Sequence, residues 1–249
     1  MERLAAKPIR DLRRREILSI RDAIAQYRGP GAANGFIITT SSFLAWAHER
    51  EWIDANPAFR ISRLTMGEWK PWKKEDVAEA LSSVSAPLQR VVYLGMFTGQ
   101  RRGDLCSMKW SDIKQGSIQI VQQKTGMVLR IPIHPALAEA MKDWPRTADT
   151  ILTDPLGKKW IPETLTSLMW RAAQSGQIPR GLNVHGLRKL AATLLAEAGC
   201  STHEIAAITG HKTLQMVQHY TKSVDQMRMA TSAINRVETS FLKPKETDK

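Results

Sequence analysis

One short stretch limits what this chain can fold into. From Ile113 to Ile133 the pattern is that of β-strands, whereas elsewhere apolar residues recur at roughly helical spacing. Ile118-Gln119-Ile120-Val121 and Val128-Leu129-Arg130-Ile131 flank Lys124-Thr125-Gly126, which puts a glycine in the turn of a hairpin. It is the one convincing β region. The expected fold class is therefore mainly α with a small antiparallel β-sheet (α+β).

Helices fill the rest. One opens at Lys73-Lys74-Glu75-Asp76 and runs to about Ser82; a strongly apolar one spans Ala86 to Thr98 and ends at Gly99. A short helix follows Arg101 through Met108. Others are expected over Pro135–Trp144, Pro162–Gln174, Leu187–Ala198, Thr202–Thr209, Thr213–Tyr220 and Asp225–Val237, with Ile151-Leu152-Thr153 a short strand or a connection. Upstream, residues 9–28 read as a basic helix whose apolar side is Ile9, Leu12, Ile17, Ile20, Ile24 and Tyr27. Gly29-Pro30-Gly31 stops it, and a second helix runs from Ala32 to Arg50 with Phe36, Ile37, Phe43, Leu44 and Trp46 as its apolar set. Two helices bury one seam but hardly enclose a core. The expected division is a partial helical segment over 1–64, a linker over 65–74 with Trp69 and Trp72 packed at the junction, a larger domain over 75–240 and a polar tail over 241–249.

Charge narrows the function. The 249 residues carry 36 Lys and Arg against 24 Asp and Glu, a formal net charge of +12, which favours a polyanionic partner. Cys106 and Cys200 lie far apart without metal-ligand spacing and read as reduced thiols of a cytoplasmic protein. No apolar run approaches membrane-spanning length, and the charged N-terminus has no apolar export signal. The sequence implies no metal and no cofactor.

Phosphate chemistry has a recognisable residue set. His185-Gly186-Leu187-Arg188-Lys189, Thr209-Gly210-His211 and His219-Tyr220-Thr221-Lys222 place imidazoles, a guanidinium and a phenol within one stretch, and Arg101 and Lys124 lie upstream. Cutting a phosphodiester without metal needs a nucleophile, cations on the non-bridging oxygens, an acid for the leaving oxygen and an acceptor for the nucleophile's proton. Tyr220 suits the first task. Arg101 and Arg188, with planar forks that stay charged, suit the second. Lys124 at a hairpin tip suits proton donation, and His185 and His211 suit accepting or orienting. Singly, each has a plainer explanation: Arg101 pairs with Asp104 at i, i+3, His185 caps a helix, Tyr220 is a core aromatic.

Their order is what resembles a known family. Thr98-Gly99-Gln100-Arg101-Arg102-Gly103-Asp104-Leu105 is similar to the first signature box of the tyrosine recombinase (phage integrase) family, and His185-x-x-Arg188 to the second. Thr209-Gly210-His211 resembles its Leu-Gly-His element and Tyr220 its nucleophile, with the spacing kept over residues 72–240. The resemblance implies that Arg101 and Arg188 clamp the phosphate, Lys124 is the general acid and His185 the general base. It makes His211 a phosphate-contacting donor, Tyr220 the attacking group and Asp104 a support behind Arg101.

It further implies a site-specific recombinase that integrates or exchanges DNA through a 3′-phosphotyrosine link and a Holliday junction. Four protomers would act on two duplexes, with a possible accessory DNA-bending protein and without a cofactor. Two features depart from the pattern. Lys189 stands where many members carry histidine, and the helices before the linker match only the second half of the family's core-binding domain. The alternatives are a DNA-binding protein that has lost recombination and a type IB topoisomerase-like strand transferase. Lys73, Lys74, Lys109, Arg171, Arg180 and Lys189 are the further expected DNA contacts.

Overall fold

The computed structural model describes residues 7–67, 69–154, 156–221, 230, 231 and 233–237, with the backbone alone for Leu214 and for 219–221. The first five residues of the expected helix Asp225–Val237, Met227 and Met229 included, and the tail 241–249 lie outside the described residues. The chain divides into two compact units, Met1–Glu68 and Trp69–Lys249.

In the first unit a 3-10 turn at Ile9–Asp11 precedes α1 (Arg14–Glu49), which is broken where Gly29 takes φ 82° and ψ 166°. The second arm restarts on Pro30, whose fixed φ suits a first helical turn and whose missing N–H costs nothing there. Two helical arms alone were expected to bury only a seam. The segment after them closes it: Ile53, Ala58 and Ile61 join Ile17, Ile37, Leu44 and Ala47 in one small apolar cluster. Asn34 ties that return in place, donating to Leu64 O at 2.9 Å and accepting its N–H at 2.8 Å. The apolar sides were drawn too wide in the sequence. Phe43, Trp46 and Tyr27 are exposed, and Trp46 stacks with Phe43, meets Trp52 edge-on and lies under the Arg50 guanidinium.

The second unit contains α2 (Lys74–Ser83), α3 (Ala86–Thr98), α4 (Arg102–Ser107), strands β1 (Ile113–Lys114), β2 (Ser117–Val121) and β3 (Val128–Pro132), then α5 (Pro135–Lys142), α6 (Pro162–Gln174), α7 (Val184–Glu197), α8 (Thr202–Thr209) and α9 (Leu214–Thr221). The expected hairpin is present and has gained a strand. The sheet is antiparallel in the order β1-β2-β3, with Ile118 opposite Ile131 and Ile120 opposite Leu129. Those four side chains point into the core, while Gln119, Val121, Val128 and Arg130 face out, as a period of two demands. The core also takes Val91, Leu94, Leu105, Leu165 and Leu187 from the surrounding helices. The supposed linker ends inside this unit. Trp72 is 2% exposed in its core and donates Nε1–H to Asn183 O at 2.9 Å, whereas Trp69 is exposed. Ile151-Leu152-Thr153 is a buried connection held by bridges from Lys109 to Thr150 and from Thr153 to Lys159.

Candidate active site

Two helices of the second unit end alike, and their ends meet. α3 closes on Gly99 at φ 62° and α8 on Gly210 at φ 69°. A left-handed residue at a helix end is cheap only for glycine. Packing adds a second reason. A Cβ on Gly99 would lie 3.0 Å from Thr209 Cγ2, and one on Gly210 would collide with the Gln122 amide. Arg101 follows the first turn by two residues and His211 follows the second directly, so the paired helix ends deliver both.

Arg188 stitches the two ends together. It is 1% exposed, and Nη1 donates to Gly99 O at 2.7 Å and to Thr209 O at 2.6 Å. Both acceptors belong to helix C-termini, whose outward carbonyls carry partial negative charge and so favour a buried cation. Its helix, α7, begins at Val184 rather than at the expected Leu187, because the Asn183 side chain caps it by accepting the Gly186 N–H at 3.1 Å. His185 therefore lies in the first turn with Arg188 one turn on, sharing a face. Gly186 between them has no room for a side chain. A Cβ there would collide with the Lys70 carbonyl and lie 2.9 Å from Trp72 Cδ1. Its absence lets segment 70–72 cross the start of α7, and Trp69 then meets His185 edge-on with ring centroids 6.4 Å apart.

Lys124 sits on the exposed turn between β2 and β3. Asp104 was expected behind Arg101. Its Oδ2 is 3.8 Å from Arg101 Nη1, an ion pair beyond hydrogen-bond reach, while its Oδ1 accepts the Gln123 N–H at 2.9 Å. This 2%-exposed carboxylate thus holds the turn next to Lys124 more firmly than it holds the arginine.

Two residues with no reactive chemistry join these parts. Gln122 and Gln100 are both 0% exposed. Gln122 Nε2 donates to Gln100 Oε1 at 2.7 Å and to Thr209 O at 2.9 Å, and its Oε1 accepts from Arg101 Nη1 at 2.9 Å and Thr125 Oγ1 at 2.8 Å. Gln100 Nε2 donates to Thr98 O and Ile208 O. Gln100 lies inside the run that resembles the first signature box and Gln122 two residues before Lys124, yet nothing in the sequence pointed either one to a role.

The electrostatics show how closely the charged groups gather. The pKa of His185 is lowered, first by burial and then by Arg188, Lys189, Arg101 and Lys124. That of His211 is pushed down to about 3 by burial, then by Arg188, Arg101 and His185. Both imidazoles are therefore neutral at pH 7. The Thr209 hydroxyl lies 2.6 Å from Ile205 O and 2.7 Å from His211 Nδ1. Its single proton goes to the carbonyl, which has none to give, so Nδ1–H of His211 donates to the hydroxyl. Nε2 of the neutral ring is then an acceptor. It donates to a phosphate oxygen only after taking a proton, which a nearby anion favours.

The expected nucleophile, Tyr220, has its backbone in α9, which packs on α7 and α8 through Val217, buried against Ala192, Ala196 and Ile205. Of the expected DNA contacts, Lys73, Lys109, Arg171 and Arg180 are exposed. Lys74 is exposed too but pairs with Glu197 at 2.8 Å, and Lys189 is half-buried, close enough to the site to act on His185. Among the described residues there is no cluster of three or more His, Cys, Asp or Glu placed to hold a metal ion, and no helix long and apolar enough to cross a membrane. Burial pushes the Cys106 thiol up to about 11, leaving it protonated.

The sequence model of the phage integrase family matches residues 74–227. The chain belongs to that family. The match runs from α2 past α9 and so takes in every segment of the site. The integrase of Escherichia phage lambda is 32% identical over 184 residues, which cover 67% of this chain and 48% of that protein. The tyrosine recombinase XerC of Mycobacterium tuberculosis is 24% identical over 230 residues, 81% of this chain and 77% of that protein. This integrase-family chain thus spans about half the length of the phage integrases it matches. Its fold is that of a lambda integrase dimer bound to a COC′ core site (TM-score 0.70, 23% identity, 86% of this chain and 65% of that one). A lambda integrase tetramer bound to a Holliday junction matches equally well (TM-score 0.70, 23% identity, 86% and 66%).

Proposed function

We propose that this chain is a tyrosine-type site-specific DNA recombinase. The observation that carries the reading is the convergence of Arg101, Lys124 and Arg188 on His185, and of Arg101, Arg188 and His185 on His211, beside the helix that bears Tyr220. Tyr220 attacks a backbone phosphorus, giving a 3′-phosphotyrosine link, while the departing 5′ oxygen takes a proton from Lys124. Arg101 and Arg188 stabilise the charge that builds on the non-bridging oxygens. His185, held neutral, accepts the phenol proton, and the neutral Nε2 of His211 faces the same task or, once protonated, donates to the phosphate. The released hydroxyl then attacks the link on a partner strand, which needs no external energy because the phosphotyrosine keeps the ester. Duplex recombination sites, a Holliday junction and a homo-tetramer on DNA follow from this chemistry and from the assemblies that the related lambda integrase forms. The first unit serves as part of the grip on DNA.

Covalent trapping tests the reading. A nicked duplex from the DNA around its own gene, built to lose a short 5′ piece on cleavage, is incubated with the protein. The expected result is a protein–DNA adduct on a denaturing gel that disappears with Tyr220→Phe. An adduct that persists in the variant overturns Tyr220 as nucleophile.

A further inference from the structure

The two neutral amides of the site have no part in the chemistry just described, yet one of them has its hydrogen-bonding capacity filled by that site. Gln122 makes four hydrogen bonds, two accepted at Oε1 and two donated from Nε2. Those are all that a side-chain amide offers in plane. Its orientation is fixed by the partners: turned over, the amide N–H would face the Arg101 guanidinium and its oxygen would face the Thr209 carbonyl. Its position is fixed as well, because Gly210 leaves no side chain in its way.

We propose that Gln122 is a positioning residue that orients the Arg101 guanidinium for the scissile phosphate. Arg101 is 22% exposed at its side chain, so it reaches the surface where DNA arrives, and the fork has five N–H donors of which Gln122 engages one on Nη1. A planar fork held at one corner has its remaining edge set in direction. Asp104, 3.8 Å away, supplies charge without direction. Using an amide has a further merit. It fixes the arginine without cancelling its charge, which stays available to a phosphate. Gln122 lies two residues before Lys124 on the same turn, so the hairpin that brings the acid also sets the clamp.

This inference rests on the recombinase reading, and its test separates the two. Single-turnover adduct formation is measured for the full chain and for Gln122→Ala on the nicked duplex described above. A second duplex is identical except that a methylphosphonate replaces the scissile phosphate. Exchanging one non-bridging oxygen for methyl removes the charge that Arg101 neutralises. Misplacing a group by about 1 Å costs on the order of 100-fold, and that is the loss expected for Gln122→Ala on the phosphodiester, with DNA affinity unchanged. On the methylphosphonate the variant and the parent react alike. Equal slowing on both duplexes means general damage and overturns the proposal, as does a variant that cleaves the phosphodiester at the parent rate. Gln122→Met, of similar length, is read in the same way if the alanine variant melts early. A parent chain that forms no adduct overturns the reading of Tyr220 and this proposal with it.

Discussion

Gly186→Ala sets two effects of opposite sign against each other. Gly186 lies in the first turns of α7, and alanine there favours a helix over glycine by about 1 kcal/mol. From helix propensity alone the variant is more stable. The packing says otherwise, since the new methyl collides with the Lys70 carbonyl oxygen and stands 2.9 Å from Trp72 Cδ1. Neither neighbour is a free side-chain end. One is backbone, and the other is a 2%-exposed indole whose Nε1–H is bonded to Asn183 O. Overpacking of this kind costs about 1–3 kcal/mol, and a strained or lost indole bond adds about 1 kcal/mol. The net loss is about 2 kcal/mol, or about 4–8 °C in the melting of a unit this size. Thermal melting of the parent and variant chains, followed by circular dichroism, gives the sign directly. A variant that melts at or above the parent refutes the argument that segment 70–72 requires glycine at this position. Alanine is otherwise favoured there, so no weaker explanation rescues it.

Three further outcomes follow from the site. Lys124→Ala slows adduct formation on an ordinary duplex but not on one whose leaving 5′ oxygen is replaced by sulfur, a group that departs without an acid; equal slowing on both removes Lys124 as the proton donor. Asp104→Ala frees the Gln123 N–H and costs about 1–3 kcal/mol, with faster hydrogen exchange at the Gln123 amide; unchanged exchange contradicts the role assigned to this carboxylate. His211 binds its proton near pH 3 when folded and near 6.5 when unfolded, so the unfolded chain binds more protons between those values. Its contribution is whole above pH 6.5 and is lost as pH falls towards 3, by at most about 1.4 kcal/mol per unit before solvent screening reduces it. Urea unfolding from pH 7 to 4.5 reads this slope, and a His211→Gln slope as steep as the parent's counts against it.

How much of this was legible in the sequence depended on whether a residue announces its own conformation. Ala86–Thr98, Pro162–Gln174 and Thr202–Thr209 lie where they were expected because glycine, serine and proline mark where a helix stops or starts. The hairpin was visible because alternation has one reading. The start of α7 was missed because its capping residue, Asn183, lies among residues that also suit a loop. In the first unit, helical spacing named more apolar residues than the short return segment covers, so Phe43, Trp46 and Tyr27 are left at the surface. Sequence spacing gives a face its direction but not its width. The candidate residues stood out by type and order, and the amides between them did not, since a glutamine looks the same on a surface as at the centre of a network.

That blind spot has a physical reason that bears on how the site works. The proposed phosphodiester pocket gathers Arg101, Lys124, Arg188 and Lys189 around His185. Carboxylates are the groups a sequence reader looks for beside arginines, and here Asp104 stands 3.8 Å off with its other oxygen committed to a backbone N–H. Direction comes instead from neutral dipoles: the Gln122 amide on Arg101, and the carbonyls of Gly99 and Thr209 on Arg188. Dipoles fix geometry without adding a counter-charge, while burial first, and then the nearby cations, holds both histidines neutral. On the recombinase reading proposed above, an anionic phosphate bound among these cations raises the basicity of both imidazoles. On that reading, the proton leaving the Tyr220 phenol is then best accommodated when DNA is in place.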